Sequence, residues 1–161
     1  MPRPQDIIVH SLSAAQMMLH RFVDDLKPEE FLHRPCLEAN CAAWIVGHLA
    51  ASDRKALAGF GVPLPEVPAG FEERFAAKGA GAKTSNFGDS KELVRLFDAH
   101  RSLLIEQAKK ADDLALAGPP AMQSPLFSTR GELLNFLGLH AAMHLGQIST
   151  IRRSLGRPPI V

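Results

Sequence analysis

The sequence predicts an all-α fold, a four-helix bundle, and three observations carry that prediction. Four stretches repeat apolar residues at helical spacing, none shows the two-residue alternation of a half-buried strand, and the connectors between them are rich in Gly and Pro. Four long amphipathic helices bury their stripes best against one another, and an all-helical array that is not a bundle is the alternative. No internal repeat is present. A length of 161 residues suggests a single domain spanning 1–161. At that size roughly 70% of the unfolded chain's surface can be buried, so the core needs no disulfide.

The first helix is expected to start at Asp6 or Ser11, carry Ile8, Leu12, Ala15, Met18, Leu19, Phe22 and Leu26 on one side, and stop by Pro28. His10 and His20 lie on it about 80° apart, which suits surface or boundary positions. Asn40 is a plausible N-cap for a second helix over Cys41–Leu57, whose inner stripe is Trp44, Ile45, His48, Leu49, Ser52 and Ala56. Residues 59–89 form a Gly- and Pro-rich connector with one expected short turn, Phe71 to Ala77. A connector of that length is usually functional or mobile, and it can also serve as the crossover that some four-helix bundles use between helices 2 and 3. Ser90 can cap a third helix bearing Leu93, Leu96, Phe97, His100, Leu103, Leu104 and Gln107 inward. After a second connector at 112–128, Thr129 and Glu132 have the spacing of a capping box. They open a fourth helix through Leu133, Phe136, Leu137, His140, His144, Gln147 and Ile151. Gly156 is its C′ residue, and Pro158-Pro159 prevents continuation.

Composition excludes several function classes. Formal net charge is +1, from 18 basic and 17 acidic residues, with no long run of one sign. That leaves no electrostatic footprint for nucleic acid or an anionic membrane. No apolar run of 18 residues exists and the N-terminus lacks a signal-peptide core, so neither a membrane span nor secretion is expected. The two cysteines, Cys36 and Cys41, form neither a CxxC pair nor a zinc ligand set, and reduced thiols in a cytoplasmic protein are the simplest account.

The chemistry-bearing stretch is His140-Ala141-Ala142-Met143-His144-Leu145-Gly146-Gln147. Histidines four apart on a helix lie about 40° apart around the axis, one turn from each other, and can offer two nitrogens to one ion. The pair alone is better explained as two half-buried histidines hydrogen-bonded in a core. His48 changes the balance, because it sits on the inner stripe of another helix. Three inward histidines would each need a buried partner, and few carboxylates lie on those faces. One divalent cation satisfies all three, so the metal reading takes precedence.

Trp44-Ile45-Val46-Gly47-His48-Leu49-Ala50, taken with the His140–Ile148 segment, resembles the DinB/YfiT-like family of bacterial four-helix-bundle metalloenzymes. Leu32-His33-Arg34-Pro35 and Arg152-Arg153-Ser154-Leu155-Gly156 fit as well, so the likeness runs from about residue 8 to residue 158. The resemblance implies an up-down-down-up helix order, a divalent ion (nickel or zinc) on a triad falling on His48, His140 and His144, and a homodimer. It leaves the reaction open: some relatives are thiol S-transferases or isomerases using low-molecular-weight thiols, others are called hydrolases.

Three neutral imidazoles leave a divalent ion its full charge and an open position, suited to a bound water or a thiolate. No HExxH glutamate and no serine nucleophile motif supplies a hydrolytic base. Asp53 lies about 140° round its helix from His48 and is badly placed. His100 can act beside the triad in proton transfer or be a packed core histidine. Gln147 can hydrogen-bond a metal-bound ligand or tie two helices together. Transfer to an activated thiolate needs no base and ranks first. A metal-dependent hydrolase ranks second, and a non-catalytic metal-binding, stress-associated dimer module is the third reading. An enzyme needs a cleft for a small-molecule substrate that reaches the ion. Because free histidine titrates near ~6.5, metal-linked stability is expected to fade below that pH.

Overall fold

The computed structural model describes residues 3–76 and 86–160. Among them the regular structure is helical, apart from one isolated bridge between Ser124 and Phe127. In chain order the helices are α1 (Pro4–Val23), α2 (Ala42–Leu57), α3 (Phe71–Arg74), α4 (Ser90–Lys110), α5 (Asp113–Ala117) and α6 (Arg130–Ser154). The four long ones, α1, α2, α4 and α6, are the four read from periodicity, and they pack on one another.

Their ends depart from expectation where side-chain capping competes. Helix α1 starts earlier than Asp6, because Pro4 suits the first turn and Asp6 accepts the Arg3 backbone N–H at 3.1 Å. It also stops at Val23, short of Leu26, which is nevertheless buried. Cys41, not Asn40, occupies the N-cap position of α2. Asp89, not Ser90, caps α4: its Oδ1 accepts the N–H groups of Lys91 and Glu92 at 2.8 and 3.1 Å. The capping box of α6 forms as expected, with Glu132 N–H donating to Thr129 Oγ1 and Thr129 N–H to Glu132 Oε2. Gly156 takes φ 75°, closing the C-terminus of α6. The unforeseen α5 is capped by Asp112, which accepts the Ala115 N–H at 2.8 Å. The turn expected over Phe71 to Ala77 is α3, and Ala77 lies outside the described residues.

Helix α1 packs against α4 and α6, and α2 against α4 and α6. Gln5 donates to the Ala111 carbonyl and His20 hydrogen-bonds Asp98, so α1 and α4 are antiparallel. Arg152 donates to the Phe22 carbonyl, and Gly138 meets Ser11, so α1 and α6 run in the same direction. A Cβ on Gly138 would overlap the Ser11 hydroxyl, so glycine sets how closely α1 and α6 approach.

Helix α2 is buried on nearly every side, from Ala42 through Ala51, rather than along one stripe. The ring of Phe75, the residue after α3, rests on Gly47. The core falls into two apolar clusters, one around Trp44, Phe75, Phe97 and Ile148, the other around Leu12, Leu57, Leu104 and Leu134. Between them on their helices stand Asp53 and Arg101, both fully buried, joined by two hydrogen bonds of 2.6 and 3.0 Å. This ion pair explains why Asp53 faces away from His48: it points at α4. Removing one partner would strand a buried charge, at about 3–5 kcal/mol.

Candidate metal site

Mid-length on α2 and α6, His48, His140 and His144 converge. His48 Nε2 lies 3.3 Å from His140 Nε2, and His144 Nε2 lies 3.1 Å from the same atom. All three residues can offer one ligand nitrogen to a common point, each within 4.8 Å of the others. Nitrogens bound tetrahedrally at about 2.1 Å from a zinc ion stand about 3.4 Å apart. The spacing present is close to that, so the three residues fit a divalent ion.

The other ring nitrogens of His48 and His144 point outward to acceptors. His48 Nδ1–H donates to the Phe75 carbonyl at 2.8 Å, and His144 Nδ1–H donates to Gln147 Oε1 at 3.0 Å. A carbonyl can only accept, so each neutral ring carries its proton on Nδ1 and keeps a lone pair on Nε2. This is the arrangement in which metal-binding histidines are usually held. Aromatic rings fix the imidazole planes further. Trp44 stacks on His48 at 4.6 Å between centroids, and Phe136 stacks on His140 at 5.7 Å.

Burial keeps the three rings neutral. His140 is pushed down to about 3, first by burial, then by the charges of His144, His48 and Arg101. His48 and His144 are also lowered, burial being the main cause in both. His48 is buried, while His140 and His144 are half-buried, which leaves one side of the cluster open to solvent.

Gln147 has a contact not foreseen from the sequence, the His144 ring. It orients His144 from three residues along α6. His100 is fully buried, with Nδ1–H donating to the Leu96 carbonyl at 2.7 Å and Nε2 facing Arg54 Nη1 at 3.4 Å. Its contacts lead to Arg54, which also holds the Pro65 carbonyl and Glu72, and not to the three rings. His10 is exposed; His20 pairs with Asp24 and Asp98, and His33 with Ser154. Sequence reasoning missed Trp44, Phe75 and Phe136 as the walls of the cluster. Trp44 at i−4 from His48 and Phe136 at i−4 from His140 were readable as same-face neighbours. The Phe75 carbonyl had no sequence signal.

Among the described residues no helix is long and apolar enough to cross a membrane. No curated protein matches the chain. The family model described as the DinB superfamily matches residues 11–148, a span that runs from the first turns of α1 to beyond both histidines of α6. A helical architecture with its histidines gathered from α2 and α6 accords with that match, and the chain belongs to the DinB superfamily.

Proposed function

We propose that this protein is a metal-dependent enzyme in which His48, His140 and His144 hold one divalent ion, nickel or zinc, and that it transfers a low-molecular-weight thiol to a small electrophile. One observation carries the reading: three Nε2 atoms face one another while the Nδ1–H groups of His48 and His144 are spent on outward acceptors. An ion there would lower the pKa of a bound thiol or water. The thiol proton goes to solvent, sulfur attacks the electrophilic carbon, and the leaving group departs with its electron pair.

The surroundings favour a thiol over hydrolysis. Among the described residues the rings touch Trp44, Phe75, Phe136, Gln147 and one another, and none of these is a general base. A thiolate needs none, whereas a water nucleophile profits from one. The walls Trp44 and Phe136 suit an apolar electrophile. A hydrolase is the second reading, and a non-catalytic metal-binding module the third. The half-exposed His140 and His144 argue against the third, because a purely structural site is closed.

With α4 antiparallel and α6 parallel to α1, and α2 sharing one apolar cluster through its first half with the first half of α4 and the other through its end with the second half of α4, an up-down-down-up order is supported, in which residues 59–89 would be the crossover. A homodimer is part of the same reading. A groove of about 710 Å³ between α1 and α6, lined by Ala14, Met18, Leu139 and Ala142, is apolar and suits a second copy. A cytoplasmic location fits the free thiols Cys36 and Cys41.

The test is elemental analysis of protein purified without a histidine tag, followed by a screen of thiols against electrophiles. About one ion per chain is expected, lost in His48→Ala, His140→Ala and His144→Ala. Metal content unaffected by all three substitutions would end the reading.

A further inference from the structure

We infer that Phe75, seated on Gly47, is the positioning element of the histidine cluster, so that docking of the α3 segment governs how tightly a divalent cation is held. The inference rests on the metal reading above and extends it to a segment 27 residues from His48 in sequence.

Glycine in the middle of a helix costs about 1 kcal/mol relative to alanine. Gly47 sits in mid-α2, and its φ is not in the left-handed region, so backbone freedom does not explain it. Space does. A Cβ on Gly47 would come within 2.5 Å of Phe75 Cζ and nearer still to Cε1 and Cδ1. The Phe75 ring therefore occupies the volume a side chain would take. That ring is fully buried and meets Phe71 at 4.8 Å and Phe87 at 6.0 Å between centroids. All three rings belong to one apolar cluster with Trp44, Val46 and Ala50 of α2. Arg54 adds a polar tether, binding Glu72 at 2.9 Å.

The backbone of the same residue does the orienting. Phe75 offers its carbonyl to His48 Nδ1–H at 2.8 Å, one residue along α2 from the glycine that receives its ring. Ring and carbonyl are rigidly linked through one Cα. Seating the ring on Gly47 therefore fixes the acceptor that keeps the His48 proton on Nδ1. With the proton there, Nε2 presents its lone pair to His140 and His144. If the ring lifts, the acceptor leaves with it, and His48 can exchange tautomer and turn away. Outer partners of this kind are worth roughly 10–100-fold in metal affinity. Phe75 and Gly47 touch no metal-binding atom and act through His48.

Two readouts separate this role from simple packing. Zn²⁺ affinity is measured by competition with a chromophoric chelator, and the His48 tautomer by ¹⁵N NMR of metal-free protein, alongside circular dichroism and melting. Gly47→Ala should remain helical, bind Zn²⁺ roughly 10–100-fold more weakly, and lose the pure Nδ1–H signature of His48. Adding Phe75→Leu to Gly47→Ala makes room for the new methyl group and should restore part of both. A folded Gly47→Ala protein with unchanged affinity and tautomer overturns the inference, as does a double variant no better than Gly47→Ala in a folded state. If the unsubstituted protein binds no Zn²⁺, the metal reading fails on its own, and an unchanged His48 tautomer in Gly47→Ala still decides against Phe75.

Discussion

His144 carries its proton on Nδ1 because Gln147, three residues along α6, can accept but not donate through Oε1. That single hydrogen bond gives the exposed Gln147 a measurable role. Gln147→Leu removes the acceptor and should weaken divalent metal binding about 10-fold without loss of helix, read by chelator competition and circular dichroism. His100→Gln should leave metal content unchanged, because its ring faces Leu96 and Arg54 rather than the three histidines. Metal loss in His100→Gln would make it a ligand. These two residues mark the limit of what the sequence made legible. His48, His140 and His144 were readable because helical period alone assigns them inward faces. The partner of His48 Nδ1 was not, since the Phe75 carbonyl is a backbone atom from another element and carries no side-chain signature. The Asp53–Arg101 pair was half legible: the angular argument turned Asp53 away from His48, but nothing in the sequence named Arg101 on α4 as its partner.

Helix α6 shows two faces with different tasks. His140 and His144 occupy one, while Gly138, Ala142 and Gly146, each two residues from a histidine, lie about 200° round the axis and line the groove shared with α1. The groove is therefore separate from the histidine cluster, and its size does not make it the reaction site. Beside it Met17 and Leu139 are 59% and 57% exposed, unusual for large apolar side chains on adjoining helices. If a second copy covers this face, Met17→Lys and Leu139→Lys should halve the mass measured by light scattering and leave metal content intact, since surface changes alone shift stability by only about 0.5 kcal/mol. A monomeric unsubstituted protein would remove the homodimer from the proposal. The length and number of the long helices were readable because apolar periodicity extends over many turns. Their ends were less so, because Asp89 and Asn40 offered competing caps within one or two residues of the observed starts. The all-round burial of α2 also escaped periodicity. The short turn at Phe71 was readable as α3, but nothing in the sequence said that Phe75 beyond it would seat on Gly47.

At the scale of the molecule, burial of three histidines couples protonation to stability. The unfolded chain titrates them near ~6.5. The folded chain lowers all three, His140 to about 3. Between those limits the unfolded state binds more protons, so stability is present above pH ~6.5 and is lost as pH falls through the lowered values. His20 works the other way: its burial is outweighed by Asp98 and Asp24, its pKa is raised, and its contribution is present below ~6.5 and lost as pH rises through the raised value. His100 is lowered as well, chiefly by burial, so four groups against one leave the metal-free protein less stable at pH 5 than at pH 7.5. The same burial moves the window for metal. Free histidine would lose its ion below pH ~6.5, but here burial lowers all three rings, His140 to about 3, so proton competition with the ion moves to lower pH. The rise in melting temperature caused by saturating Zn²⁺ should therefore persist from pH 7.5 to below pH ~6.5 and decline only at more acid pH. The metal-free protein should stay helical throughout, because both apolar clusters form without the site. Paired melting curves with and without Zn²⁺ across this range check it. A Zn²⁺ effect that disappears already at pH 6 would mean the three rings titrate as exposed imidazoles and do not form this cluster in solution. Helix lost on removing the ion would make the metal a folding staple and weaken the case for an open catalytic position.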